Sequence, residues 1–299
     1  MTTLSDLPDL RGAITALPTP FSNGALDEAA LERLVSRQAE AGAHGVVACG
    51  TTGEAPTLTD AERARVVEIC VRAAAGRMPV LAGVGTNATA TTLAHLESAA
   101  KLGADAALIV APYYNKPSQD GLYAHFKTLN DAAALPIVIY NIPGRTAVTV
   151  SVETMARLSQ LEFIVGVKDS TGDLARAARD RLACDADFIL LSGEDMTAVG
   201  YNAMGGRGCI SVASNIVPEI CASMQNAMLA GDFAVALEEQ DRLAPLIEAL
   251  FSDTNPAPLK YALSRMGLCA NELRLPLAPA SPYARQAIDA ALERLDLIG

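Results

Sequence analysis

The 299-residue chain has no tryptophan, only three histidines and only five lysines. His44, His95 and His125 stand alone, with no HxxxH or HExxH spacing, which argues against a catalytic metal. The six cysteines (49, 70, 184, 209, 221 and 269) form no CxxC pair and fall mostly within apolar runs. They read as small buried hydrophobes of a protein kept in a reducing cytoplasm. Positive charge is scarce: 23 Lys and Arg against 34 Asp and Glu leave a net charge of −11. Such a balance disfavours nucleic acid and anionic membrane as partners, but not a small acidic substrate, which needs only one or two local cations. No apolar run approaches a membrane span, and the start, MTTLSDLPDL, lacks the basic residues and apolar core of a secretory signal, so the expected location is the cytoplasm. A dinucleotide-binding doubly wound sheet would need a glycine-rich turn after its first strand, where Leu17-Pro-Thr-Pro-Phe21 stands instead. Gly205-Gly-Arg-Gly208 precedes a strand rather than following one, so it reads as a helix stop and no phosphate cofactor is expected.

What the chain does have is apolar content: 51% hydrophobic residues against 19% charged, enough for a large core. Short apolar runs recur at Gly12–Leu17, Gly45–Cys49, Val80–Gly83, Ala106–Val110, Ile137–Tyr140, Ile164–Lys168, Phe188–Leu191 and Cys209–Val212. Amphipathic helical patterns separate them, at Asp27–Ala41, Thr59–Ala75, Ala88–Leu102, Gly121–Ala134, Ser151–Leu158, Asp173–Cys184 and Asp195–Met204. Thr59-Asp-Ala-Glu62 is a capping-box pattern, and Gly42 and Gly103 stand where helices should stop. Eight such βα units predict an α/β fold, a (β/α)8 TIM barrel, over residues 1–215. Residues 216–299 hold a closing helix and a C-terminal helical extension of the same domain, with patterns at Phe233–Leu250, Pro258–Met266 and Ala284–Leu297 and a turn at Asn255-Pro-Ala-Pro258.

In this architecture the site lies at the C-terminal ends of the strands. Phe163-Ile-Val-Gly-Val-Lys168 is a buried-strand pattern that ends in a lysine. Burial there costs desolvation, favours the neutral amine, and so makes a nucleophile able to form a Schiff base with a carbonyl. The plainer possibility is that Lys168 reaches the rim or pairs with Asp169. The neighbouring strand ends in Tyr140, about 4.8 Å away if the two strands pair, so both side chains can face one pocket. Gly50-Thr51-Thr52-Gly53 offers amides and hydroxyls that suit a carboxylate, though it also reads as an ordinary turn. Arg145, in a Pro-Gly turn, can fork onto a second carboxylate or simply sit at the surface. Tyr113 and Tyr114 suit packing at a rim or interface.

Together, GTTGE (50–54), PYYN-KPSQ-GLY-HF (112–126), YNIPGRT (140–146), GVKDSTGD (166–173), SGED (192–195) and NPxPxK (255–260) resemble one family. It is the 4-hydroxy-tetrahydrodipicolinate synthase (dihydrodipicolinate synthase) family, lyases of the pyruvate-dependent class I aldolase superfamily that includes N-acetylneuraminate lyase. The likeness runs from about Gly12 into the C-terminal extension. It implies condensation of pyruvate with L-aspartate 4-semialdehyde, the first committed step of lysine and diaminopimelate biosynthesis, with no external cofactor. It further implies that Lys168 forms the imine and that Thr51 and Thr52 hold the pyruvate carboxylate, helped by backbone groups near Gly193 and Ile210. Tyr140 would relay protons, linked through Thr51 to Tyr114 of a neighbouring subunit in a homotetramer, a dimer of dimers. Arg145 would receive the aldehyde's carboxylate. The feedback-inhibitor positions correspond to Arg63, Asn87, Thr91 and Tyr113, where a lost carboxylate and a gained cation disfavour L-lysine. Two other readings are a sister aldolase taking pyruvate with another aldehyde, and a silent metabolite-binding paralogue. The latter should lack one of Lys168, Tyr140 or Thr51, and none is missing.

Overall fold

The structure, a computed structural model, describes residues 8–299; residues 1–7, part of the stretch read for a secretory signal, lie outside the described residues. Its strands are β1 (Gly12–Ala16), β2 (Gly45–Ala48), β3 (Val80–Gly83), β4 (Ala106–Val110), β5 (Ile137–Asn141), β6 (Ile164–Asp169), β7 (Ile189–Ser192) and β8 (Gly208–Ser211). They pair in parallel and close on themselves in the order β1-β8-β7-β6-β5-β4-β3-β2, a (β/α)8 barrel. Every observed strand end lies within one residue of its apolar run. The reason is that these strands are buried on both faces, one towards the barrel axis and one under the helices, so the whole run must be apolar.

The outer helices are α1 (Glu28–Glu40), α2 (Asp60–Ala74), α3 (Thr89–Lys101), α4 (Gln119–Asp131), α5 (Val152–Leu158), α6 (Leu174–Ala183), α7 (Ala198–Ala203) and α8 (Pro218–Ala230). Beyond them come α9 (Phe233–Leu250), α10 (Ala257–Arg265) and α11 (Pro282–Arg294). The capping box forms: Thr59 Oγ1 accepts from Glu62 N at 3.2 Å, and Glu62 Oε2 accepts from Thr59 N at 3.0 Å. Gly42 and Gly103 follow α1 and α3 with φ of +78° and +83°, values that glycine adopts without a Cβ penalty.

Several local details depart from the sequence expectation. Helix α4 begins two residues before the expected Gly121, because Ser118 serves as its cap and accepts from Gly121 N at 3.2 Å. The Asp195–Met204 pattern opens with a 3-10 turn, Asp195–Thr197. Here the Asp195 carboxylate faces inward and accepts from the amides of Val212 (2.8 Å) and Ala213 (3.2 Å). The Pro-Gly turn around Arg145 is a short helical turn, Pro143–Thr146, and an antiparallel hairpin, Phe21–Ser22 with Ala25–Leu26, follows β1.

Two apolar regions matter for the site. Ile14, Val47, Leu81, Leu108, Val138 and Ile210 fill the barrel interior below Tyr140. A second core packs α8, α9, α10 and α11 against β1 and β8, and so holds the extension to the barrel. Four of the cysteines are buried and Cys184 and Cys269 are half-buried, all as free thiols.

Candidate active site

Alternation along β6 decides where its last two side chains go. Lys168 points into the barrel mouth and is 7% exposed, while Asp169 points away. There Asp169 Oδ1 accepts from Asn141 Nδ2 at 2.9 Å and Oδ2 accepts from the Thr171 hydroxyl at 2.6 Å. Lys168 therefore does not pair with its neighbour. Tyr140 and Lys168 are register partners across β5 and β6, and Lys168 Nζ lies 4.0 Å from the centroid of the Tyr140 ring. The aromatic face lies against the amine, which makes no ion pair among the described residues.

Space for the lysine comes from Gly193, just beyond β7. A Cβ there would stand 2.9 Å from Lys168 Cε and would collide with Ser170 Oγ, so any other residue would push the lysine aside. Glu194 follows it into the same pocket. Burial raises its carboxyl above the usual range, against the opposing pull of Ser170 and Lys168.

The turn after β2 is closed by Gly53 N donating to Gly50 O (3.1 Å) and Glu54 N donating to Thr51 O (3.1 Å). It leaves Thr52 buried at 3% exposure and Thr51 half-buried at the pocket edge. Thr52 Oγ1 accepts a hydrogen bond from Asn255 Nδ2 at 3.0 Å. The turn ends in Glu54, which has a left-handed φ of +54° and is 1% exposed. Its carboxylate is met by Lys260 Nζ and accepts from Arg274 N at 3.0 Å.

Thr51, Thr52, Tyr140, Arg145, Lys168, Gly193 and Ile210 thus line one inner pocket of about 50 Å³, together with Ser170, Glu194, Val212 and Asn255. That volume admits roughly a handful of heavy atoms beside the amine. Arg145 stands at its exposed edge, where Nη2 lies 3.4 Å from Asn255 O. Thr51, Tyr140 and Arg145 also border an outer cavity of about 430 Å³ that reaches Arg63, Thr91 and Tyr113. Arg63, 9% exposed, donates to Gly83 O (2.8 Å) and Ala55 O (3.0 Å). Asp60, a carboxylate on that wall, meets His95 Nε2 through Oδ1 at 3.0 Å.

Two of the expected residues are not brought in. Asn87 lines neither cavity, although its carbonyl accepts from Asn115 Nδ2 at 2.8 Å. Tyr114 also lies outside both, 88% exposed with φ of +71°. Conversely, Ser170, Glu194 and Asn255 reach the pocket although sequence reasoning gave them no role. Their signal was present in the GVKDSTGD, SGED and NPxPxK motifs.

The geometry describes a lone buried amine with hydroxyl and guanidinium groups suited to carboxylates, which is the equipment of a Schiff-base aldolase. The dihydrodipicolinate synthetase family model matches residues 9–295. A 4-hydroxy-tetrahydrodipicolinate synthase of Methylobacterium radiotolerans is 56% identical over 289 residues, 97% of each chain. The crystal structure of dihydrodipicolinate synthase from Aquifex aeolicus superposes with a TM-score of 0.95 at 43% identity, covering 96% of this chain and 99% of that one. A chloride-inhibited dihydrodipicolinate synthase from Acinetobacter baumannii, complexed with pyruvate, matches at TM-score 0.95 and 40% identity over 97% of this chain and 100% of its own. With the family model spanning nearly the whole length and the lysine pocket in place, the chain belongs to the dihydrodipicolinate synthetase family.

Proposed function

We propose that this protein is a lyase that condenses pyruvate with L-aspartate 4-semialdehyde to give 4-hydroxy-tetrahydrodipicolinate, the first committed step towards diaminopimelate and lysine. The observation that carries the reading is the buried Lys168 amine beneath the Tyr140 ring, in one pocket with Thr51, Thr52 and Arg145. The Lys168 amine attacks the pyruvate ketone, water leaves, and an imine forms. Tyr140 takes and returns the protons, relayed through Thr51 to Tyr114 of a neighbouring subunit. Loss of a methyl proton turns the imine into an enamine, for which the protonated imine nitrogen is the electron sink, so no external cofactor is required. Thr51 and Thr52 hold the pyruvate carboxylate, with backbone groups near Gly193 and Ile210. The enamine carbon attacks the aldehyde, whose own carboxylate rests on Arg145. The substrate's amino group then attacks the imine carbon, releases Lys168 and closes the ring.

The same reading takes the enzyme as cytoplasmic; the exposed Tyr114 would complete the relay from another copy, which needs at least a dimer, and the family resemblance suggests a homotetramer, a dimer of dimers. Arg63 and Thr91 in the outer cavity, with Tyr113 beside them and Asn87 outside it, favour weak or absent inhibition by L-lysine. Arg63 puts a cation on that cavity wall and Thr91 supplies no carboxylate, so the acidic side chain in the lining is Asp60, which meets His95. The function is tested by mixing the protein with both substrates, adding the next reductase of the route and following NADPH oxidation. A sustained rate is expected. No rate, from protein that borohydride still tethers to pyruvate, would keep the lysine chemistry and reassign the aldehyde to that of a sister aldolase.

A further inference from the structure

The C-terminal extension reaches into the pocket at one residue, Asn255. It is 6% exposed and lies 203 positions from Thr52, whose hydroxyl it meets at 3.0 Å through Nδ2. Its main-chain carbonyl faces Arg145 Nη2 at 3.4 Å. One residue therefore touches Thr52 and Arg145, a group from each of the two carboxylate seats of the proposed reaction.

A threonine hydroxyl has one proton to donate and lone pairs to accept with. An amide N–H directed at Oγ1 occupies a lone pair and leaves the proton free for another acceptor. A carboxylate is an acceptor only, so Thr52 binds it well only with that proton turned into the pocket. Were the Asn255 amide turned the other way, its oxygen would take the proton and Thr52 would present lone pairs to an anion.

The surroundings hold the backbone at Asn255 in place. Two residues beyond Thr52, Glu54 is gripped by Lys260, five residues beyond Asn255, so the turn and the extension meet at two consecutive points. Lys260 is 0% exposed, donates also to Glu272 O at 2.8 Å, and lies 4.2 Å from the Phe21 ring centroid. A buried ion pair is satisfied in only one register, whereas apolar side chains of the same size could slide.

We infer that Asn255 is a positioning residue that fixes the Thr52 hydroxyl as a hydrogen-bond donor to the pyruvate carboxylate. The inference rests on the proposed function, and it assigns Asn255 a task in pyruvate binding rather than in aldehyde binding. Its side chain serves Thr52, while only its main chain, which substitution leaves in place, serves Arg145.

The test is steady-state kinetics with each substrate varied, supplemented by the pyruvate concentration that half-saturates borohydride trapping. Asn255→Ala should raise both pyruvate measures about tenfold, the scale of one hydrogen bond to a charged group, with the aldehyde KM nearly unchanged. Asn255→Asp keeps the shape but accepts the Thr52 proton, so its pyruvate KM should rise further than that of Asn255→Ala. In a Thr52→Val background, Asn255→Ala should add little. An unchanged pyruvate KM in Asn255→Asp, an equal rise in both KM values, or the full penalty persisting in Thr52→Val would each overturn the inference. Should the variants not fold, the unmodified protein decides: the Asn255 side-chain amide resonance should shift on adding pyruvate, and a resonance that stays fixed counts against it. If the unmodified protein gives no pyruvate adduct at all, the proposed function falls and this inference with it. An adduct with unaltered variants overturns this inference alone.

Discussion

At the scale of single residues, the buried pocket lysine was legible because an amine ending a wholly apolar strand has few places to go. Strand alternation then settled that it faces inward, since Asp169 is engaged by Asn141 and Thr171 on the other face. Lys168→Ala should abolish turnover and borohydride trapping with pyruvate, read by the mass of the reduced adduct. An adduct on that variant would place the imine elsewhere. Arg145 sits at the exposed edge of the pocket, so its loss should cost towards the lower end of the range for a charged contact, about 2 kcal/mol. Arg145→Ala is expected to raise the aldehyde KM by about thirtyfold and to leave half-saturation by pyruvate where it was. In the outer cavity, Arg63 already spends two guanidinium bonds on Gly83 O and Ala55 O. Millimolar L-lysine should therefore inhibit weakly if at all in an initial-rate assay, and strong inhibition below a millimolar would contradict that reading. The NPxPxK motif contained Asn255 but not its task, because its partner, Thr52, is 203 positions away and no local pattern encodes such a contact.

At the scale of elements, strands and helices could be read because each repeats a local rule: an apolar run, a capping residue, a glycine stop. What could not be read arises where a distant partner overrides the local rule, as when the amides of Val212 and Ala213 draw Asp195 inward and open α7 with a 3-10 turn. The contact between the turn after β2 and α10 is of the same kind. Lys260 and Glu54 are both 0% exposed at the side chain, so removing either charge leaves the other buried and uncompensated. Burial already pulls the Lys260 ammonium below its ordinary pKa, against the support of Glu54. Lys260→Met should therefore lower the unfolding free energy by about 3–5 kcal/mol, whereas the double variant with Glu54→Leu should recover much of that loss. Denaturant titration of the three proteins checks it, and a single variant as stable as the parent would show that the charge is not buried in solution.

At the scale of the whole molecule, a closed eight-stranded barrel was legible from the βα rhythm, whereas the way the extension returns to the barrel mouth was not. Two groups with strongly shifted pKa values, one buried and one half-exposed, shape the chain's response to acid. His125 is 6% exposed and burial lowers its pKa from 6.5 to about 4. Between those values the unfolded chain binds a proton that the folded one refuses, so stability falls as pH drops from 6.5 towards 4. Glu62, hydrogen-bonded to Arg274, is lowered from 4.5 to about 2, so its contribution is present above pH 4.5 and is lost as pH falls towards 2. The melting temperature should thus decline in two stages on acidification. His125→Leu should flatten the upper stage and Arg274→Met the lower one, as followed by circular dichroism across pH. A melting temperature independent of pH from 6.5 to 4 would contradict the assignment to His125.

The grip of Asn255, Lys260 and Arg274 on the turn after β2 also bears on the order in which the polypeptide is made. A ribosome that has synthesised every barrel strand, and with them Lys168, has not yet delivered the side chains that hold Thr52 and Glu54 in place. On the proposed function, a nascent or prematurely ended chain would thus carry the Lys168 amine without a finished seat for its keto acid until nearly the last tenth of the message had been read.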